Sequence, residues 1–219
     1  LKLPGLEWTG VFTHFAVADE PGSDFTLGQF VRFRAAVREL EEESGRTLGI
    51  KHCANSGAVV NFRQTCLDMV RPGLLLYGLY PGAERGGMDL RPVMSVKTRV
   101  AEITHHRAGD TISYGRTFTC GRDMRLAVIP IGYADGLLRC LSGRLSVSIN
   151  GRRARQVGTI CMDMCMVDVT DLPDVKTGDI VTVFGDDPPA GELAESAGTI
   201  AYELLCAVSP RVPRIYLNE

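Results

Sequence analysis

Three phrases along the chain combine groups that can do chemistry with a shared position, the close of an apolar run. Thr13-His14-Phe15-Ala16 closes the first run, Lys51-His52-Cys53-Ala54-Asn55-Ser56 the second, and Met69-Val70-Arg71-Pro72-Gly73 the third. They bring two imidazoles, an amide, a hydroxyl and a guanidinium to three successive run ends. In parallel α/β folds the reacting groups gather at the carboxyl ends of the strands. The spacing therefore predicts strands that feed one site. Asn55 and Ser56 also have a plainer reading as a helix cap, and His14 as a core histidine. Downstream, Ser113-Tyr114-Gly115 offers a phenol in a turn, where it could equally be packed over Gly115 for structural reasons.

The elements that would carry these groups change character along the chain. The first 85 residues alternate strand, helix, strand, helix, strand. Trp8 to Ala16 reads as a buried strand. Phe30, Phe33, Val37 and Leu40 recur at helical spacing between Phe25 and Gly45, with the acidic Glu39, Glu41, Glu42 and Glu43 read as a solvated face. Ile50 to Cys53 and Leu67 to Val70 supply the next strands, with a short helix from Asn55 or Ser56 toward Phe62. From residue 86 to 219 the pattern is short strands with turns: Val93–Ile103, Arg125–Ile131, Arg144–Ile149, Val157–Val169 and Asp179–Phe184. Asn150-Gly151 signals a hairpin. Short helices are expected over Glu192–Ala197 and Ile200–Cys206, and Arg211 to Tyr216 is extended around Pro213. The fold class is α/β plus all-β. Three parallel strands cannot close a barrel; if they are the tail of a (β/α)8 barrel, roughly five strands are missing, and either the chain is a fragment or another chain supplies the rest.

Composition narrows the function. With 219 residues, 45% hydrophobic and 23% charged, the chain has an ordinary globular composition. A formal net charge of -2 gives no electrostatic footprint for nucleic acid or an anionic membrane. No apolar run approaches the ~18 residues of a membrane span, and no signal-peptide pattern opens the sequence. Seven cysteines in apolar contexts suit a reducing, cytoplasmic setting. Cys161-x3-Cys165 lacks a nearby histidine or a second pair, so no metal site is expected. His105-His106 reads as solvated.

THFAVADE, KHCANS, MVRPGLLLYG, AGDTISYGRTFT, VIPIGYADGLLR, ICMDMCMVDVTD and AYELLCAVSPRVPRIY follow, in order and spacing, the C-terminal part of the alanine racemase family, from about residue 6 to residue 216. That resemblance implies a pyridoxal 5'-phosphate enzyme built from a barrel and a β-domain. It also implies interconversion of L- and D-alanine for peptidoglycan precursors and a homodimer whose active site is shared across the interface. Serine or broader-specificity racemases share these motifs, and a non-catalytic assembly module is the reading from another class.

Carried over residue by residue, the resemblance makes Tyr114 one of two catalytic bases, acting on the partner subunit's cofactor. Racemisation removes a proton from one face of Cα and returns it to the other, so two acid/base groups must flank the carbon. A phenol normally ionises near pH ~10, so one that works at neutral pH needs a cationic or hydrogen-bonding neighbour, and His14 and Arg71 are the candidates. Arg71 is implied to face the cofactor's ring nitrogen and His14 to bridge Arg71 and Tyr114. Ser56, the amides of Gly73 and Leu74, and the Tyr202 hydroxyl are implied to hold the phosphate, with Asn55 beside them and His52 at most behind them. Met162 is implied to meet the substrate carboxylate through its main chain, and Tyr133, Arg139, Ile200 and Tyr202 to line the access corridor. Thr159 stands where many members carry arginine, and Met164 where glutamine is frequent. The family's Schiff-base lysine belongs to the N-terminal part. None of Lys2, Lys51, Lys97 and Lys176 occupies its place, so the isolated chain is expected to be inactive and to need a complementary N-terminal part.

Overall fold

The computed structural model describes residues 4–217. Two compact units divide it, Leu1–Val93 and Met94–Glu219. In the first, strands β1 (Gly10–Phe12), β2 (Ile50–Asn55) and β3 (Met69–Arg71) form a parallel sheet in that order. Helix α1 (Asp24–Ser44) links β1 to β2 and stops at Gly45, whose φ is 62°. Helix α2 (Ser56–Asn61) follows β2 directly, capped by the Asn55 side chain. The core is Phe15, Cys53, Ala54, Ala58 and Phe62, with Leu27, Phe30 and Phe33 of α1 packed on it.

Several expectations change here. The strand expected over Trp8–Ala16 is only three residues long and is not buried: Phe12 is exposed, because β1 is an edge strand paired only with β2. Leu40, expected on the apolar stripe, lines an open groove with Val11, Phe12 and Phe33. Glu41 is not merely solvated. Its carboxylate accepts the Leu48 N–H at 2.9 Å and pairs with Lys51 at 2.9 Å, tying the end of α1 to the start of β2. The Leu48 hydrogen bond first, and Lys51 second, hold that carboxyl below the usual range. Across β2 and β3 the register shifts, with His52 opposite Met69 but Asn55 opposite Arg71. This irregularity sets the polar ends of the two strands side by side.

The second unit is a seven-stranded antiparallel sheet. Its strands are β4 (Val96–Arg99), β5 (Glu102–His106), β8 (Met124–Ile129), β9 (Ser146–Ile149), β10 (Arg152–Val157), β11 (Cys165–Asp168) and β12 (Ile180–Phe184), ordered β4-β12-β9-β10-β11-β8-β5. A small ribbon of β6 (Thr111–Ile112) and β7 (Phe118–Thr119) stands apart, and α3 (Ala190–Ala197) and α4 (Ala201–Ala207) follow. Strands β4 and β5 lie at opposite edges of the seven, yet only Val100 and Ala101 separate them. Laid flat, those edges would stand about 29 Å apart at ~4.8 Å per strand, while so short a link reaches roughly 11 Å. The sheet must therefore curl until its edges approach. The run Val93–Ile103, expected as one strand, is thus two strands meeting at a corner. The Asn150-Gly151 turn joins β9 to β10 with both residues at positive φ, 51° and 73°, as a two-residue hairpin demands. Residues 211–217 carry no regular secondary structure.

Candidate functional site

In the first unit the polar strand ends gather around Arg71. Its Nη1 lies 2.5 Å from His52 Nδ1, and its Nη2 donates to the Thr13 carbonyl at 2.9 Å and lies 3.3 Å from His14 Nδ1. The guanidinium stands 5.3 Å from the centre of the Phe12 ring, which stacks on His52 at 5.4 Å. A guanidinium can only donate, so His52 Nδ1 must accept, which leaves a neutral imidazole with its proton on Nε2. Burial, and after it the Arg71 charge, lower the His52 pKa in keeping with that form. His52, expected at most in a supporting place, is thus a direct partner of Arg71.

Asn55 is the cap of α2 and also reaches the end of the first strand's loop. Its Oδ1 accepts the Ala58 N–H at 3.0 Å and caps α2, while its Nδ2 lies 3.5 Å from the Phe15 carbonyl and from His14 Nε2. Ser56 is only 2% exposed, and its Oγ accepts the N–H of Gly73 at 2.9 Å and of Leu75 at 3.5 Å. Its own hydrogen is left to donate. Leu74 opens a single 3-10 turn (Leu74–Tyr77) that has no side-chain cap. The Ser56 hydroxyl and the Leu74 amide at the end of β3, next to a fixed cation, form a donor set suited to an anion such as a phosphate.

The second unit presents Tyr114. The ribbon β6–β7 ends in a turn in which Ser113, Gly115 and Arg116 have φ of 68°, 74° and 51°. Two non-glycine residues in that region make a strained turn that its surroundings must hold. The phenol it carries is 76% exposed. Tyr114 lines a cavity of about 620 Å³ together with Tyr133, Arg139, Cys161, Met162 and Met164. Ile200 and Tyr202 stand at the start of α4 and are not among its lining residues.

The cavity wall exists because the strand expected over Val157–Val169 is interrupted. Gly158, at φ +72°, turns the chain out of β10, and residues 158–164 form a loop before β11 resumes at Cys165. A Cβ on Gly158 would meet Ser113 Cβ at 2.8 Å, so only glycine lets this loop close on the Tyr114 turn. On the other side the Cys161 and Met162 carbonyls accept the N–H groups of Tyr133 and Ala134 at 3.0 and 2.9 Å. A Cβ on Gly132 would lie 2.3 Å from the Cys161 carbonyl oxygen. The apolar residues of this stretch read as strand, but part of them walls the cavity. Thr159 is 6% exposed and faces the Tyr114 turn. The sequence marks Thr159 only as standing where many members carry arginine, which gives no sign of these contacts. Among the described residues no cluster of metal-ligating side chains occurs, and no helix is long and apolar enough to cross a membrane.

Comparison with known proteins places these features. Residues 1–81 match the family Alanine racemase, N-terminal domain, and residues 93–216 match Alanine racemase, C-terminal domain. The chain is 46% identical to the alanine racemase of Desulforamulus reducens, over 99% of this chain and 59% of that protein. It is 48% identical to that of Desulfovibrio desulfuricans, over 99% of this chain and 58% of that one. Among solved structures, alanine racemase from Bacillus anthracis with bound L-Ala-P superposes with a TM-score of 0.90 at 38% identity, covering 98% of this chain and 56% of that one. The Clostridium difficile enzyme in complex with cycloserine gives 0.89 at 38%, covering 96% and 56%. The chain therefore spans under three fifths of the length of the relatives it matches, in two parts that correspond to a portion of the barrel and to the β-domain. It belongs to the alanine racemase family.

Proposed function

We propose that this chain, joined to the N-terminal segment its relatives possess in addition, forms a cytoplasmic, pyridoxal 5'-phosphate-dependent alanine racemase that interconverts L- and D-alanine. The observation that carries the reading is the phenol of Tyr114, held out on a strained turn at a cavity large enough for a small amino acid. Bound to this protein, pyridoxal phosphate would supply the electron-withdrawing ring that acidifies the substrate Cα–H. Ser56, through its hydroxyl hydrogen, and the amide of Leu74 would hold the phosphate, while the Gly73 amide, given to Ser56 Oγ, would keep that hydroxyl in place. A guanidinium stays charged near neutral pH and can only donate, so Arg71 would leave a cofactor ring nitrogen facing it unprotonated. The contacts to His52, His14 and Thr13 fix the guanidinium in place for that task. Tyr114 would move a proton at one face of Cα, and a base from the additional segment would serve the other face. Met162, Tyr133 and Arg139 would orient the substrate and limit its size. In this reading the enzyme is a homodimer, with Tyr114 reaching the partner subunit's cofactor and His14 linking Arg71 to that phenol.

The test is reassembly with an N-terminal segment taken from a relative. The reassembled protein should racemise L-alanine in the presence of pyridoxal phosphate, and the 219-residue chain alone should not. Tyr114→Phe removes only the hydroxyl and should lower kcat by at least ~100-fold while cofactor binding changes little. Robust turnover by the chain alone, or a phenylalanine variant as fast as the parent, would overturn this assignment.

A further inference from the structure

The strained Tyr114 turn has no cap of its own, since Ser113 makes no side-chain cap bond to it and Gly115 breaks the helical geometry. Besides the Arg116 N–H bond to the Ser113 carbonyl and the Arg116 Nε bond to Thr111 Oγ1, one residue of the loop after β10 holds it. Thr159 Oγ1 donates to the Tyr114 carbonyl at 3.0 Å. A hydroxyl has one hydrogen, so the contact at 3.1 Å between Thr117 Oγ1 and Thr159 Oγ1 must run from Thr117 to Thr159. Ser113 Oγ in turn donates to the Thr159 carbonyl at 2.7 Å. Three hydrogen bonds thus tie residues before, at and after the phenol to a single buried threonine. They span the positions whose φ values are positive.

We propose that Thr159 is a positioning residue for Tyr114, fixing the backbone of its turn so that the phenol is held at the cavity. This rests on the racemase reading above and deepens it. Thr159 also lines the cavity, but the role proposed for it is exercised through the backbone of the turn. It acts through the turn, where a misplacement of about 1 Å can slow a reaction ~100-fold. Valine has the same shape as threonine without the hydroxyl, so Thr159→Val removes two of the three bonds. Serine keeps the hydroxyl, and Thr159→Ser should restore them.

The experiment has two arms. In the 219-residue chain, amide hydrogen exchange over residues 113–117 should quicken about tenfold in Thr159→Val and stay near the parent in Thr159→Ser. In the reassembled enzyme with L-alanine, kcat should fall at least tenfold in Thr159→Val with KM within about twofold, and Thr159→Ser should recover most of it. If the valine variant does not fold, Ser113→Ala, which removes the third bond, is read in its place. Unchanged exchange in the valine variant overturns the proposal whatever the activity. Faster exchange with unchanged kcat overturns it too, since the bonds would then serve stability alone. A reassembled parent that does not racemise defeats the racemase reading and the positioning role with it, and a normal exchange result would locate that failure in the reading of function.

Discussion

Replacing Gly158 with alanine should unsettle the second unit far more than a single methyl suggests. The backbone there has φ +72°, and an L-residue in the left-handed region costs about 1–2 kcal/mol. The added Cβ would also lie 2.8 Å from Ser113 Cβ and 3.2 Å from the Ile112 carbonyl oxygen. Both atoms are fixed to backbone and cannot swing aside, so overpacking adds roughly 1–3 kcal/mol. Together these predict a loss of about 2–5 kcal/mol, or a fall in the urea midpoint of about 1–2.5 M for a slope near ~2 kcal/mol/M. Far-UV circular dichroism follows both units, whereas the single tryptophan, Trp8, follows only the first. The circular dichroism transition not shared by Trp8 emission should move, and the Trp8 transition should not. A shift below ~0.3 M would mean that the loop can reroute around the methyl, and the close docking of residue 158 on Ser113 would lose its support.

Two further outcomes follow from the first unit. Ser56→Ala leaves the Gly73 N–H without the acceptor it has at 2.9 Å, beside a site only 2% exposed, and should destabilise the unit by about 1–3 kcal/mol, read from Trp8 emission in urea. His52 has its pKa lowered on folding from 6.5, by burial and then by Arg71, so the unfolded chain binds the proton more tightly. Stability of this unit should therefore fall as the pH drops below about 6.5 and level off once it passes the folded value. The dependence should vanish in His52→Asn, and a parent whose Trp8 midpoint is equally high at pH 7.5 and 5.5 would contradict it.

Much of the scaffold was legible because local signals and tertiary demands agreed. Gly45 ends α1, Asn55 caps α2, and Asn150-Gly151 turns β9 into β10, each by backbone conformations its residue type favours. The motifs likewise led to Tyr114, Tyr133, Arg139 and Met162, which meet at one cavity, and to the cluster around Arg71. What could not be read are features that depend on pairing between distant strands. The register shift that sets Asn55 beside Arg71, and the contact of His52 with Arg71, appear only once β2 and β3 are aligned. The run Val157–Val169 is mostly apolar, with Asp163 at its centre, and periodicity cannot separate a strand from a cavity wall of the same composition. Gly158 was its single local hint. Thr159 gave none, since nothing in a threonine's neighbours along the chain reports a hydroxyl that reaches back to the Tyr114 carbonyl.

The bonds between Thr159 and the Tyr114 turn also bear on when in folding the phenol acquires its place. Ser113 and Thr159 are 46 residues apart in sequence. Closing a loop of that length carries an entropic cost that short turns escape, and in the intact sheet β8, β9 and β10 lie in the chain between them. Hairpins such as β9–β10 form on local information within microseconds, before any contact across this span is worth making. The left-handed residues around Tyr114 lack the three bonds to Thr159 until the loop after β10 arrives. The group on which chemistry would depend is thus among the last parts of the second unit to become native, and a chain whose strands have formed is not yet one whose tyrosine is in position.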